Sequence, residues 1–125
     1  MVVSLLTPDE EREFLLQEEG TSARAQGIEF LSVPVRDRQV PDSDSEIEAV
    51  VQQLETVLSA GKNVLVHCRQ GIGRSGLLAA ALLINRGRSP EAALQDVSEA
   101  RGRTVPETPE QRHWVEQYAS KLRIH

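Results

Sequence analysis

Between two apolar segments, the sequence reads His67-Cys68-Arg69-Gln70-Gly71-Ile72-Gly73-Arg74-Ser75. The run before it, at 63–67, is short, β-prone and apolar on both faces, which predicts a buried central strand of a parallel sheet. The run after it, at 75–85, is apolar nearly all round, which predicts a helix inside the domain. This stretch therefore predicts a strand, a glycine-rich turn and a helix, with the turn at the carboxyl end of the strand.

The same alternation of strands and helices continues toward the N-terminus. Apolar runs at 2–6 and 28–35 predict two further strands. The segment 7–10 reads as a capping box with proline at the first helical position, which predicts a helix to about Glu19 that stops at Gly20.

Three further helices are predicted, one before the opening stretch and two after it. A capping box at 43–46 begins one that ends at Gly61, and prolines after Ser89 and Thr108 begin the other two. The last helix has an inward face of Trp114, Val115, Tyr118 and Leu122. The alternating pattern predicts an α/β fold with a central, mainly parallel β-sheet flanked by helices.

Length and composition restrict the class of protein. A chain of 125 residues supplies one domain, 1–125, and its 39% hydrophobic and 26% charged residues are typical of a globular protein. Aromatic residues make up only 3% and the net charge is −5, so binding to a nucleic-acid backbone is not expected. The longest apolar run, at 77–84, is far shorter than the roughly 20 residues that cross a membrane, so no membrane association is expected.

Cys68 is the only cysteine. An internal disulfide and a zinc site of several thiolates are therefore excluded, and the chain is predicted to be cytoplasmic. A lone cysteine is most often a small buried hydrophobic residue, so a catalytic role needs support from its surroundings.

The turn after the predicted strand suits an anion. The N–H groups of a helix N-terminus are available at this edge of a parallel sheet, and Gly71 and Gly73 let the backbone form a concave nest. Arg74 adds a planar fork that grips two oxygens of a phosphate. The helix N–H groups and the charge of Arg74 also favour the thiolate of Cys68 and should lower its pKa from about 8.5 to roughly 3.5–7.5. No Gly-Lys-Ser/Thr follows the glycines, so a Walker phosphate loop is excluded.

The pattern HCxxGxxRS at 67–75 resembles the signature loop of the cysteine-dependent protein tyrosine phosphatase superfamily. The segments 34–41 and 105–111 are similar to the general-acid loop and the C-terminal end of its dual-specificity branch. The resemblance implies a protein tyrosine phosphatase-like fold of the dual-specificity type. Relatives usually carry another strand or two before the run at 2–6, so this chain is either truncated at its start or a minimal member that lacks the N-terminal strand.

The resemblance also implies a two-step phosphatase that needs no metal or other cofactor. Cys68 is then the nucleophile, Asp37 the general acid, and Ser75 assists breakdown of the intermediate. The phosphate-binding residues are Arg69, Gln70, Gly71, Ile72, Gly73 and Arg74. His67 is a supporting residue that orients the loop or the thiolate.

Two assignments stay open. Asp42 lies near Asp37, although its position suits a helix cap, and the prolines at 34 and 41 favour Asp37. Gln111 resembles a family residue that positions water, but the capping box at 108–111 explains it equally well. For Arg101, the simpler interpretation is a cation at a helix C-terminus.

The predicted function is hydrolysis of phosphomonoesters in proteins, on phosphotyrosine, phosphoserine or phosphothreonine, through a phosphocysteine. The alternatives are a phosphate-binding module without turnover and a phosphatase for a phosphoinositide or an RNA 5′-phosphate. Arg69 is the only cation inside the loop between Cys68 and Arg74, which mildly disfavours an inositide headgroup. A rhodanese-like sulfur carrier fits the motif less well.

Overall fold

The computed structural model describes residues 1–35, 44–68, 74–102, 105–106 and 108–124. In chain order, the elements in these residues are β1 (Val2–Ser4), α1 (Pro8–Glu13), α2 (Glu19–Ala25), β2 (Phe30–Ser32), α3 (Asp44–Ser59), β3 (Leu65–His67), α4 (Arg74–Asn85), α5 (Pro90–Arg101) and α6 (Pro109–Ile124). The predicted α/β class is confirmed, and each strand is shorter than the apolar run that predicted it.

The three strands form a parallel sheet in the order β2-β1-β3. Val3 at the centre of β1 is paired with Leu31 on one side and Val66 on the other, and it is completely buried. Within the described residues, the prediction that 63–67 is the central strand is wrong, because β1 holds that position. The side chain of Leu65 is 60% exposed while Val66 packs on the core, so an all-apolar strand here buries mainly one face.

The predicted helix from Pro8 to Glu19 is also wrong beyond Glu13. The chain turns at Leu15, whose φ of 58° lies in the left-handed region, and a second helix, α2, begins at Glu19. Gly20 lies inside α2, where a Cβ atom would come within 3.0 Å of the Phe30 ring. Gly20 therefore allows α2 to approach β2 closely and does not end a helix.

Helix α4 is the inner helix, as predicted, and contacts α3, α5 and α6. The buried hydrophobic residues of α4 are Leu77, Leu78, Ala80, Ala81 and Ile84. From α6, Trp114, Val115 and Tyr118 face this core, and the rings of Trp114 and Tyr118 stack at 5.4 Å. Packing on three sides fixes the first turn of α4, which carries Arg74 and Ser75. None of the helices in the described part of the chain has the length and apolar character that a membrane span requires.

Candidate active site

The carboxyl ends of β1 and β3 lie at the same edge of the sheet because the strands are parallel. Cys68 directly follows β3, and Arg74 and Ser75 begin α4. The predicted phosphate-binding residues at 69–73 lie outside the described residues, and so do Asp37 and Asp42. The described part of the site therefore consists of the two ends of the signature motif and the side chains around them.

Cys68 and Ser75 are in contact across this motif. Their Sγ and Oγ atoms are 3.5 Å apart, within hydrogen-bond distance for sulfur. Ser75 is completely buried and Cys68 is half-buried, so the sulfur is the more accessible of the two atoms. The structure thus brings together the residue predicted to be the nucleophile and the residue predicted to assist the intermediate.

Arg74 lies almost entirely inside the protein, with an exposure of 2%. Its Nη1 and Nη2 donate to the two carboxylate oxygens of Glu10, at 2.6 and 3.0 Å. Nη1 also donates to the carbonyl of Val35 at 3.0 Å. A buried cation needs such compensation, and the bidentate contact holds the guanidinium in one orientation.

Glu10 owes its position to a helix cap. Its Oε1 accepts from the backbone N–H of Thr7 at 3.1 Å, and its own N–H donates to the Thr7 hydroxyl at 3.4 Å. The predicted capping box is confirmed, and its carboxylate has a second role that the sequence analysis missed. Burial acts to raise the pKa of Glu10, but hydrogen bonds from Arg74 and Thr7 and the charge of Arg74 outweigh it, so the pKa lies below its ordinary value.

His67 pairs with Glu19, at the start of α2. The imidazole Nε2 is 3.0 and 2.8 Å from the two carboxylate oxygens of Glu19, and both side chains are about one-quarter exposed. A carboxylate in this position fixes the ring plane and directs an Nε2–H toward itself. His67 therefore has an anchored ring next to Cys68, and Glu19 is a second residue that the sequence analysis missed.

Arg101 is the last residue of α5, before the left-handed Gly102. Its predicted place at a helix C-terminus is confirmed, but its Nη2 also donates to the Ser75 hydroxyl at 3.2 Å. The prediction considered only the local helix, and nothing in the sequence around Arg101 indicates a partner 26 residues earlier.

Gln111 lies in the first turn of α6 and is completely buried. Its backbone N–H donates to the Thr108 hydroxyl at 3.1 Å, which confirms one half of the predicted capping box. Among the residues that the structure describes, no three histidine, cysteine or carboxylate side chains gather into a group that could hold a metal ion.

Comparison with known proteins identifies the family of the chain. The sequence profile of the family "Dual specificity phosphatase, catalytic domain" matches residues 11–121. Cyclin-dependent kinase inhibitor 3 of Homo sapiens is 34% identical over 94 residues, which are 74% of this chain and 44% of that protein. The chain thus spans less than half the length of this curated relative.

Solved structures give the same result for the fold. Kinase associated phosphatase, with its catalytic-site cysteine replaced by serine, superposes with a TM-score of 0.87 at 25% identity, over 99% of this chain and 70% of that one. The active form of Tk-PTP superposes with a TM-score of 0.83 at 30% identity, over 96% and 78% of the two chains. The fold is that of the cysteine-dependent protein tyrosine phosphatases. The chain belongs to the dual-specificity branch of that superfamily.

Proposed function

We propose that the protein is a cysteine-dependent phosphatase that hydrolyses phosphomonoesters on proteins through a phosphocysteine at Cys68. The observation that carries the proposal is the pairing of two features at one sheet edge. Cys68 follows β3 with its sulfur near the Ser75 hydroxyl, and a buried, oriented Arg74 begins the next helix. A thiol nucleophile and a fixed guanidinium are the two groups that metal-independent phosphoryl transfer needs most.

In the first step, the Cys68 thiolate attacks phosphorus. A sulfur–phosphorus bond forms, the bond from phosphorus to the substrate oxygen breaks, and that oxygen takes a proton from Asp37. Glu10 holds the edge of the Arg74 guanidinium formed by Nη1 and Nη2. The phosphoryl oxygens are then bound by the edge formed by Nε and Nη2, together with the amides of residues 69–73.

In the second step, water attacks the phosphocysteine. The Asp37 carboxylate accepts a proton from this water, an oxygen–phosphorus bond forms, and the sulfur–phosphorus bond breaks. The thiolate that departs needs stabilisation, and the Ser75 hydroxyl donates a hydrogen bond to it. The supporting roles proposed for His67 and Gln111 are to orient the loop and to position the water.

The proposal extends to substrate and location. The catalytic unit is the single domain 1–125, and phosphotyrosine, phosphoserine or phosphothreonine in a partner protein is the substrate. A lone thiolate nucleophile has to stay reduced, which suits a reducing compartment such as the cytoplasm.

Turnover of an aryl phosphate by the purified chain tests the activity. Cys68→Ser should abolish it and EDTA should leave it unchanged. Arg74→Lys should lose most of it because an ammonium group cannot reproduce the planar fork. Arg88→Lys, a change to an exposed arginine paired with Asp96, is the matched control and should keep it.

Activity that survives Cys68→Ser or disappears with EDTA would contradict the proposal. Release of one phosphate per protein without turnover would indicate a binding module instead. A panel of phosphopeptides, phosphoinositides and 5′-phosphorylated RNA then identifies the substrate class, and turnover limited to the lipids or the RNA would overturn the protein substrate.

A further inference from the structure

Ser75 is contacted from two sides by groups with different hydrogen-bonding capacity. Arg101 approaches its Oγ from the end of α5 at 3.2 Å, and the sulfur of Cys68 is 3.5 Å away on the motif itself. Ser75 is completely buried, so this hydroxyl is shielded from bulk water. The three side chains form a chain of contacts from Arg101 through Ser75 to Cys68.

The protons in this series of three contacting side chains can be assigned from the number of donors and acceptors that each group has. A guanidinium has only donors, so the contact from Arg101 must use a lone pair of the Ser75 oxygen. The Ser75 hydroxyl has one proton of its own, which is then directed away from Arg101. When Cys68 is a thiol, it donates to the same oxygen. When Cys68 is a thiolate, the proton between the two atoms is that of Ser75.

We propose that Arg101 is a positioning residue that directs the Ser75 hydroxyl toward Cys68 and thereby stabilises the Cys68 thiolate. The effect on catalysis rests on the proposed function, whereas the effect on the sulfur does not. The guanidinium charge adds to the stabilisation of the thiolate, because a cation on the far side of the Ser75 hydroxyl polarises its O–H bond and strengthens the hydrogen bond to the sulfur.

The thiolate is present at two points of the proposed reaction. It is the attacking group in the first step and the leaving group in the second. A thiolate that is less stabilised is a better nucleophile once formed, but it is a poorer leaving group. The loss of Arg101 should therefore slow hydrolysis of the phosphocysteine more than its formation.

Other titratable and charged groups also lie at this edge, and they must stay unchanged in the test. In the described residues they come from β3, α1, α2 and α4, and they are His67, Glu10, Glu19 and Arg74. His67 pairs with Glu19 and Arg74 pairs with Glu10, whereas the hydrogen bond described for Arg101 goes to Ser75, so substitution of Arg101 leaves both pairs in place.

The first measurement is the rate of Cys68 alkylation by iodoacetamide as a function of pH. In Arg101→Met, which removes the charge and the donors but keeps an unbranched stem, the pH of half-maximal rate should rise. Arg101→Lys keeps the charge and a donor and should lie nearer the wild type. Arg88→Met makes the same change at the exposed arginine that pairs with Asp96, and it should match the wild type.

The second measurement is stopped-flow turnover of an aryl phosphate. Loss of one hydrogen bond to a charged group should lower kcat roughly tenfold. KM should not rise, because Arg101 does not bind the substrate. Phosphocysteine should accumulate in Arg101→Met, with a burst approaching one product per enzyme, and its intact mass detects the intermediate directly.

The two proposals fail in different ways. Absence of turnover in the wild type defeats the proposed function, but the alkylation profiles still decide the role of Arg101. An unchanged profile in Arg101→Met overturns that role. If Arg101→Met does not fold, Arg101→Lys is compared in wild-type and Ser75→Ala backgrounds. A shift that persists without the Ser75 hydroxyl also overturns the proposal.

Discussion

Glu10 and Arg74 are 64 residues apart in the chain and form a bidentate ion pair inside the protein. One lies in the first turn of α1, the other in the first turn of α4, and their side chains are 11% and 1% exposed. The segment that follows β1 therefore holds in place the arginine that we propose binds the phosphate. A local helix cap at Thr7 fixes the carboxylate, and the carboxylate in turn fixes the guanidinium.

Removal of the Glu10 charge should destabilise the fold. Breaking a buried ion pair by losing one partner costs about 3–5 kcal/mol, and Glu10→Gln should fall at the lower end because its amide oxygen still accepts one hydrogen bond. Urea unfolding at neutral pH measures the loss. Glu11→Gln changes the next residue in the same first turn and controls for the helix dipole. Equal losses of unfolding free energy in the two variants would contradict a stabilising role for the Glu10–Arg74 pair.

The same pair should make stability depend on pH in the acid range. The pKa of Glu10 is lowered in the folded protein, despite its burial, mainly by hydrogen bonds from Arg74 and Thr7. A folded pKa below the unfolded one gives a contribution that is fully present above about pH 4.5. The contribution is lost as the pH falls through the lower folded value.

The difference in unfolding free energy between wild type and Glu10→Gln checks this sign. It should be constant from pH 7 to about pH 5 and shrink below it. Glu55 also has a lowered pKa, through a hydrogen bond from Arg86 at the surface, so Glu55→Gln is the comparison. Its effect should be smaller and weaken in salt, since an exposed pair is screened. A difference for Glu10→Gln that grows at low pH would refute the assignment.

The contact between Cys68 and Ser75 could be predicted from sequence because both residues belong to one short motif. Cys68, Arg74 and Ser75 lie within eight consecutive residues, between the end of β3 and the first turn of α4. The partners Glu10, Glu19 and Arg101 come from other elements. Glu10 had a complete local explanation as a cap, so the sequence offered no reason to look for a second role. Its position just after β1, at the carboxyl edge of a parallel sheet, was the available signal.

The strand order shows a different limit. The apolar run at 63–67 predicted burial on both faces, but hydrophobicity does not identify the neighbours of a strand. Leu65 is 60% exposed at the outer side of β3 in the described residues. The end of the first helix was predicted wrongly for a related reason. Glycine commonly ends a helix, so the sequence pattern placed the end at Gly20, but in the structure Gly20 lies inside α2 and allows close packing on Phe30.

Glu19 should hold the ring of His67. Glu19→Ala removes the carboxylate 2.8 Å from Nε2, so the Nε2–H loses its partner and exchanges with water more rapidly. A proton–nitrogen NMR spectrum of the imidazole should show this signal in the wild type and its broadening in the variant. Glu18→Ala is the matched control, because Glu18 is the N-cap residue of α2 and its side chain makes no capping hydrogen bond. A sharp signal in both variants would show that Glu19 does not anchor the ring.

Gly76 should tolerate no larger side chain. A Cβ atom there would lie 2.6 Å from Cγ1 of Val105, which is buried and whose backbone N–H is bound by the Ser98 hydroxyl at 2.9 Å. Overpacking costs about 1–3 kcal/mol, and the helix propensity of alanine offsets up to about 1 kcal/mol. Gly76→Ala should therefore lower the midpoint of urea unfolding.

The Val105→Ala background isolates this contact. With the valine methyl groups gone, Gly76→Ala should cost nothing further and should gain the helix propensity of alanine. A cost of the same size in both backgrounds would place the strain elsewhere.

We expect Asp37, and not Asp42, to be the general acid. The carbonyl of Val35 accepts from Arg74 at 3.0 Å, so the chain enters the 36–43 segment at the site itself.

The two carboxylates are separated by their effect on turnover. Asp37→Ala should lower kcat by about 10²–10⁴ for a phenolic leaving group of high pKa, and the loss should shrink with a leaving group that departs without a proton. Inhibition by orthophosphate should stay as strong, since the acid protonates the leaving oxygen and does not bind the anion. Asp42→Ala should retain both activity and inhibition, and a large loss of kcat in that variant would transfer the role of acid from Asp37 to Asp42.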